Sequence, residues 1–294
     1  MLRLRPRPVM LCADGYGLAA GVSRGILELA DSRSISATSA IVTLPRWSED
    51  GPRLAERRDR LALGLHINLT LGAPMGPMPT FAPDGRFPQL GKLKLALLRR
   101  SFDLAEITAE VRRQMAAFEA LIGFPPDHVD SHEHVHVLPV LRGAILDALA
   151  ARGYDPKPLV RDLYERPLTI AVRSGEMAAA MGHTIQSAGF GMLARRRGFP
   201  TNHGFSGYSA YDTSRMYSVE LAHAMRGTGR RHIVMCHPGH PDAELAALDS
   251  NTMRRGQEFD ALLRNQGVAA QLWTITRDPD APPIDWDRAF PYGR

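Results

Sequence analysis

The sequence predicts an α/β fold, in which a single domain is built on a parallel sheet, either open or closed into a barrel. Short apolar runs rich in β-branched residues alternate with longer helical patterns along the whole chain, and this alternation is typical of such sheets. A length of 294 residues is ordinary for one β/α barrel, and neither a linker nor a repeat of fixed period divides the chain. We therefore expect residues 1–294 to form one domain.

The elements of the first half follow from residue periodicity. Strands are expected where β-branched or alternating apolar residues cluster, and helices where apolar residues recur at helical spacing. Asp103 is expected to cap the N-terminus of a helix. The stretch 73–88 is rich in Pro and Gly, which predicts a long loop. The predicted elements are strands at 8–13, 35–44 and 61–70 and helices at 20–31 and 103–121.

The second half continues the same alternation. A helix at 139–152 is expected because Pro139 suits its first turn and Gly153 follows its end. The region 165–200 is helical in character but carries few start and stop signals. The other predicted elements are strands at 127–137, 158–163, 232–236 and 268–276 and a helix at 250–265.

Composition and charge exclude several classes of protein. The chain is 44% hydrophobic and 23% charged, as is typical of a globular protein with a substantial core. No run approaches the roughly 18 apolar residues that a membrane span requires. The apolar run near the N-terminus is too short for a signal peptide, so we expect a cytoplasmic location. The formal net charge is +5, but the arginines are scattered and no aromatic-interleaved basic motif occurs, so nucleic-acid binding is not expected.

The cysteines and tryptophans are expected to be buried in the core. Cys12 and Cys236 are the only cysteines, too few for a disulfide framework or a thiolate zinc site, and both lie in apolar runs. The same interpretation is favoured for Trp47, Trp273 and Trp286, although tryptophan can also stack on sugar rings.

Polar side chains follow four of the predicted strands. Asp14 ends the first strand, His66 lies on the third, His132 follows the strand near 130, and His237 follows the strand near 235. The carboxyl ends of parallel strands carry the active site in α/β barrels and open α/β sheets. Imidazoles and carboxylates there are suited to metal-assisted hydrolysis. Asp14 is a candidate general base and His237 a candidate general acid that protonates a leaving amine.

The segment from His132 to His136 also matches the HExxH pattern of zinc peptidases. That pattern requires a helix, on which residues four apart share a face. Here β-branched Val135 and Val137 and the nearby Pro139 favour a strand end, so we interpret the match as accidental. His132 is then the candidate metal ligand of this segment.

Four ordered motifs give the chain a family resemblance. They are the ADGYG turn at 13–17, GLHIN at 64–68, DSHEHVH at 130–136 and MCHPG at 235–239. Together they resemble the YdjC-like carbohydrate deacetylases, the ChbG/HpnK group, over roughly residues 8–245. The resemblance implies a distorted TIM-type barrel, similar to that of polysaccharide deacetylases, and a divalent metal ion, either magnesium or zinc. It also implies a hydrolase of linear amide bonds that removes the N-acetyl group of an acetylated amino sugar, such as a chitooligosaccharide or an N-acetylglucosaminyl conjugate.

The resemblance also assigns roles by position. Asp14 corresponds to the catalytic base, His66 and His132 to metal ligands, and His237 to the acid. The family's second aspartate, normally a ligand, is replaced by Gly15. Three outcomes are open: Asp14 binds the metal in its place and leaves the base role to another group, a histidine such as His134 or His203 binds it, or the metal is bound weakly and activity is reduced or lost.

Two functions from different classes follow. The first is a metal-dependent carbohydrate N-deacetylase. The second is a non-catalytic or weakly active carbohydrate-binding relative, in which Gly15 has impaired the metal site. The sequence identifies neither the sugar nor the metal, and a homodimer is an expectation that no sequence feature decides.

Overall fold

A parallel sheet forms the centre of the molecule. A computed structural model describes residues 8–173, 176–227, 229–264 and 266–289. Within them the sheet has seven strands in the order β5-β4-β3-β2-β1-β7-β6, and an isolated parallel bridge from Val160 to Thr201 links β5 to the residues just before β6. The sheet therefore curls into an incomplete barrel, which confirms the predicted α/β barrel-like fold. The strands are β1 (Val9–Tyr16), β2 (Ala37–Ala40), β3 (Ala62–Ile67), β4 (His128–Ser131), β5 (Leu159–Val160), β6 (Gly204–Ser206) and β7 (His232–Cys236).

Helices connect the strands, as parallel strand pairs require. The fourth helix illustrates the local causes: the Asp103 carboxylate accepts the Ala105 backbone N–H at 2.8 Å, and Gly123 ends the helix at a φ of 82°. The helices are α1 (Ala20–Asp31), α2 (Trp47–Ala55), α3 (Leu90–Arg99), α4 (Leu104–Ile122), α5 (Leu141–Ala150), α6 (Pro167–Arg173), α7 (Met177–Gln186), α8 (Phe190–Arg196), α9 (Tyr217–Ala224), α10 (Ala243–Leu248), α11 (Thr252–Arg264), α12 (Gln266–Ala269) and α13 (Trp286–Ala289).

Some predicted elements agree with the structure and others do not. Helix α1 and strand β7 have the predicted bounds, and 73–88 has neither helix nor strand. The strand predicted at 268–276 is wrong: that segment holds the end of α12 and one isolated bridge, from Leu272 to Val9. The predictions missed β6 and the helices α2, α3, α9, α10 and α13, which are short or lack strong periodicity.

The strand predicted at 127–137 is also only partly correct. Strand β4 ends at Ser131, and a 3₁₀ segment covers His132–Val137. Two consecutive residues in this segment, Glu133 and His134, have left-handed backbone at φ of 52° and 57°. Non-glycine residues rarely adopt this conformation, and it prevents both a continuing strand and the α-helix that HExxH requires.

Cys12 on β1, Gly64 on β3 and His128 on β4 meet inside the barrel, and the Sγ of Cys12 is 3.5 Å from Nε2 of His128. A Cβ atom on Gly64 would collide with the His128 imidazole, so glycine is required there. Both cysteines are free and buried, and all three tryptophans are less than 10% exposed, which confirms the predicted core roles.

Among the described residues, no helix is both long enough and apolar enough to span a bilayer.

Candidate metal and catalytic site

The four side chains that the sequence places at strand ends meet in one cavity. Asp14, His66, His132 and His237 all line a cavity of about 490 Å³ at the carboxyl ends of β1, β3, β4 and β7. This is the edge of the sheet at which parallel α/β proteins bind their ligands. The structure therefore brings together the residues that were singled out separately along the chain.

Asp14 is held by a buried arginine. The register of β1 against β2 shifts between Asp14 and Tyr16, so Gly15 forms a bulge with a φ of 91°. Arg161 donates from Nη1 and Nη2 to the two Asp14 carboxylate oxygens, at 2.5 and 2.7 Å. Burial alone would raise the pKa of Asp14, but the Arg161 guanidinium outweighs it and holds this pKa well below its ordinary value. Asp14 is therefore ionised at neutral pH.

A second carboxylate, Asp130, completes a buried ion cluster. Its Oδ2 also contacts Nη2 of Arg161, and both side chains are fully buried. Burial opposes ionisation of Asp130, but the Arg161 charge prevails and lowers its pKa. Because one guanidinium serves two carboxylates, the cluster carries a net negative charge, which favours a cation nearby.

The same aspartate orients His66. The Asp130 Oδ1 lies 2.7 Å from Nδ1 of His66, and the Ser39 hydroxyl lies 3.0 Å from that nitrogen. An ionised carboxylate only accepts, so Nδ1 carries the proton and Nε2 keeps its lone pair. A carboxylate–histidine pair of this kind is the usual support of a metal-binding imidazole.

His132 provides a second imidazole. Its ring centroid lies 5.9 Å from that of His66. Burial lowers the pKa of His132 to about 3, and the neighbouring His66 and Arg255 add to the shift. His136, the other histidine of the HExxH match, is fully buried and contacts the Ser131 hydroxyl and the Arg161 carbonyl. It is a structural residue, and the peptidase interpretation fails.

His237 lies on the far side of the cavity, beyond β7. Its backbone N–H donates to Oε2 of Glu258 at 2.5 Å, and Arg255 donates to its carbonyl at 3.4 Å. Burial lowers the pKa of His237 to about 4, and Arg255 contributes in the same direction. Burial also raises the pKa of Glu258 to about 7. His237 is thus neutral at neutral pH in the free protein.

Comparison of the sequence with models of known protein families identifies the family of the chain. The family model for YdjC-like proteins matches residues 8–270. The chain belongs to the YdjC-like family. The match covers all four strand-end residues and confirms the resemblance drawn from the motifs.

Two solved structures are similar to this YdjC-like chain. One is from Enterococcus faecalis, a protein to which cellobiose-phosphate cleavage has been provisionally assigned; it has a TM-score of 0.66 and 22% identity, over 93% of this chain and 97% of the other. At this identity the likeness shows the fold alone. A polysaccharide deacetylase from Bacillus cereus matches over 97% of this chain and 98% of its own, with a TM-score of 0.38 and 10% identity.

The site of this YdjC-like protein fits a divalent metal ion. Donor atoms of Asp14, His66 and Asp130 lie within 4.8 Å of one another; His132 is not part of this close group, and its ring centroid lies 5.9 Å from that of His66. A Cβ atom at Gly15 would meet nothing within 4 Å, so the place of the missing carboxylate is open space. A second buried group, of Cys12, His128 and Asp130, has donor atoms equally close together.

The two histidines suggested as substitutes for the missing ligand have different positions. His203 is exposed and lines other surface cavities, so it is not part of this site. His134 lines the cavity, but its ring packs against His183 and Tyr208, with centroids 5.1 and 6.5 Å away.

Sequence reasoning missed the cluster that supports the ligands. Asp130 stood in the DSHEHVH motif and Ser39 in the SATSAIV segment, both without a role, and Arg161 carried no motif at all. The one available signal was that Arg161 stands in an apolar strand. An arginine is buried there only when it is paired with an acidic group, so its position indicates a buried ion pair.

Proposed function

We propose that this YdjC-like protein is a metal-dependent carbohydrate N-deacetylase, which hydrolyses the N-acetyl group of an acetylated amino sugar or oligosaccharide. The observation that carries the proposal is the hydrogen bond from His66 Nδ1 to Asp130, which leaves Nε2 free beside the neutral His132. Family membership over residues 8–270 supports it.

His66 and His132 would hold the ion, with Asp14 as the carboxylate nearest to the place left by Gly15. A divalent ion, magnesium or zinc, would supply Lewis-acid polarisation of the acetyl carbonyl and a lowered pKa of water. Two imidazoles favour zinc over magnesium, which prefers oxygen ligands.

Asp14 and His237 would share the proton transfers. An Asp14 that stays off the metal would accept the proton of the attacking water, and Arg161 fixes its orientation through two hydrogen bonds. His237 delivers a proton to the amine nitrogen as the C–N bond breaks. Because its pKa is about 4 in the free protein, His237 must first take up that proton during the reaction.

The test is release of acetate from N-acetylglucosamine oligosaccharides by metal-stripped protein, with and without added zinc or magnesium. We expect turnover only with metal, and loss of at least about a hundredfold in His66→Ala. The exposed His203 provides a matched control, since His203→Ala removes an imidazole outside the cavity. Equal turnover by His66→Ala and the parent would contradict the proposal.

The alternative is a carbohydrate-binding relative with an impaired metal site. Two observations favour it: Gly15 has no side chain, and both oxygens of Asp14 are engaged by Arg161. The variant Gly15→Asp separates the two proposals. The new side chain has open space, although a φ of 91° strains any residue other than glycine. A large gain in metal affinity and turnover would favour the impaired site, and an active parent with little change would favour the enzyme.

A cytoplasmic location, a homodimeric state, a single domain over 1–294 and the absence of nucleic-acid binding stay predictions from the sequence.

A further inference from the structure

We propose that helix α3 carries a docking face for an anionic lipid bilayer, on which exposed leucines enter the headgroup region while lysines and arginines face its negative charge. The docking face is the outward side of α3, formed by Lys92, Lys94, Leu95, Leu98 and Arg99. The proposal does not depend on the proposed deacetylase function, because it concerns the surface beside the cavity and not the reaction within it.

Leucines lie on both the inner and the outer side of α3. Leu93 and Leu97 are buried and hold the helix against the core. At 3.6 residues per turn, Leu95 lies on the opposite side of the helix and Leu98 lies beside it. Their exposed fractions are 46% and 84%. A helix on a protein surface needs apolar residues on its inner side alone, so the packing of α3 does not account for Leu98.

Basic side chains surround the two outer leucines. Between Asp84 and Asp103 the chain has five basic residues and no acidic one. All five are exposed, and they are Arg86, Lys92, Lys94, Arg99 and Arg100. Among the described residues, no acidic group forms an ion pair with any of these five. Around the helix axis, Lys94 lies on one side of the leucines, and Lys92 and Arg99 lie on the other. The positive charge is therefore free to attract an anionic surface.

This combination of charge and apolar area favours an anionic bilayer as the partner. Each lysine or arginine near an anionic leaflet strengthens binding by about fivefold. The headgroup region also accepts leucine side chains, which is why interfacial helices combine leucine with lysine and arginine. A second copy of the chain fits less well, because a two-fold dimer through the docking face would bring like charges together.

The docking face adjoins the cavity of the candidate active site. Leu90, the first residue of α3, lines that cavity. Lys94 lies one turn further along, and its charge adds to burial in lowering the pKa of His183, which also lines the cavity. At 1.5 Å per residue, Leu98 lies about 12 Å from Leu90 along the helix axis. Docking through this face therefore places the opening of the cavity next to the bilayer surface.

Sedimentation with lipid vesicles tests the docking face on the full chain. The probes are vesicles of phosphatidylcholine alone and vesicles of equal parts phosphatidylcholine and phosphatidylglycerol. We expect binding to the anionic vesicles only, and loss of this binding as salt is added, because salt screens surface charge. The double variant Lys92→Gln with Lys94→Gln should bind these vesicles about thirtyfold more weakly. Leu98→Gln should weaken binding by about three- to tenfold, since it removes part of the apolar area.

Matched variants elsewhere on the surface separate docking from a general effect of charge or apolar area. Arg166→Gln with Arg230→Gln removes two exposed arginines and changes the net charge by the same amount. Leu168→Gln removes a leucine of α6 that is 83% exposed, almost the same fraction as Leu98. Both controls should bind anionic vesicles as the parent does. Circular dichroism and thermal melts establish that every variant folds.

Four results would overturn the proposal. The parent fails to bind anionic vesicles, the arginine control weakens binding as much as the lysine pair does, or Leu98→Gln binds like the parent. The fourth result is a parent dimer in solution that Leu98→Gln dissociates, which would show that a second copy covers the docking face. The vesicles carry no sugar, so failure of the deacetylase function would change none of these measurements.

Discussion

The support of His66 by Asp130 can be tested by Asp130→Asn, which replaces one carboxylate oxygen with an amide nitrogen at almost constant volume. In the parent, Oδ1 accepts from His66 and Oδ2 contacts Arg161. If the amide oxygen faces His66, its N–H₂ group meets the donors of Arg161. If the amide is flipped, its N–H₂ group faces Nδ1, and the imidazole proton must move to Nε2, the atom that would bind the metal.

Either orientation of the amide weakens binding of the metal ion. Supporting carboxylates of this kind contribute about 10- to 100-fold to metal affinity, which corresponds to about 1.4–2.7 kcal/mol of binding free energy. The Ser39 hydroxyl also lies 3.0 Å from Nδ1, but it is neutral and also lies 3.4 Å from Asp14. Ser39→Ala should therefore reduce metal affinity by about threefold or less.

The assay is titration of zinc into metal-stripped parent, Asp130→Asn and Ser39→Ala, followed by calorimetry. Thermal melts establish that each variant is folded before titration. A folded Asp130→Asn with the parent's zinc affinity would refute the assignment of the proton to Nδ1. A greater loss in Ser39→Ala than in Asp130→Asn would refute it as well.

Three further predictions concern stability and reactivity. Arg161→Met leaves two buried carboxylates without their cation, so the free energy of unfolding in urea should fall by about 3–5 kcal/mol, and a loss under 1 kcal/mol would contradict the ion cluster. Burial lowers the pKa of His136 to about 4 from an ordinary value of 6.5. The unfolded state therefore binds more protons, and about 3 kcal/mol of stability should disappear between pH 6.5 and 4. Glu258 has its pKa raised to about 7, so its protonation adds stability as the pH falls from 7 to 4.5 and opposes the loss caused by His136. Comparing acid titrations of His136→Gln and Glu258→Gln with that of the parent separates the two effects. Identical unfolding curves would show that neither group titrates as described. Burial raises the thiol pKa of Cys12 and Cys236, so a disulfide reagent should modify neither in folded protein at pH 8, whereas both should react in denaturant.

The positions of Asp14, His66, His132 and His237 could be predicted because each lies near or just after the carboxyl end of a strand with a clear apolar pattern. The carboxyl ends of parallel strands share one edge, so local sequence was sufficient to bring residues together that are far apart in the chain. The predicted first and last residues of α1 and β7 agree with the structure because these elements also have a clear apolar pattern.

Other features depend on contacts that local sequence does not encode. Arg161 comes near Asp14 only because the sheet curls until β5 and β1 face each other across the barrel; the two residues are 147 positions apart in the chain. The 3₁₀ segment after Ser131 was predicted as strand because its valines are β-branched, yet tertiary contacts of His136 with Ser131 and Arg161 stabilise a strained turn. The missed β6 has only three residues, too few for a periodic signal.

Gly15 and Arg161 together limit which groups can complete the metal site. Arg161 occupies one lone pair on each Asp14 oxygen, and a carboxylate offers about four such positions, so Asp14 can bind a cation without leaving the arginine. The position at Gly15 has remained open space, which leaves room for water or a substrate oxygen as a further ligand. A protein that only bound sugar would gain nothing from a buried carboxylate aimed at Nδ1 of His66, because burying Asp130 and Arg161 costs several kcal/mol of solvation each. The Asp130–His66 pair is explained by an imidazole that must present Nε2 to a cation, and it therefore favours the enzyme over the impaired relative.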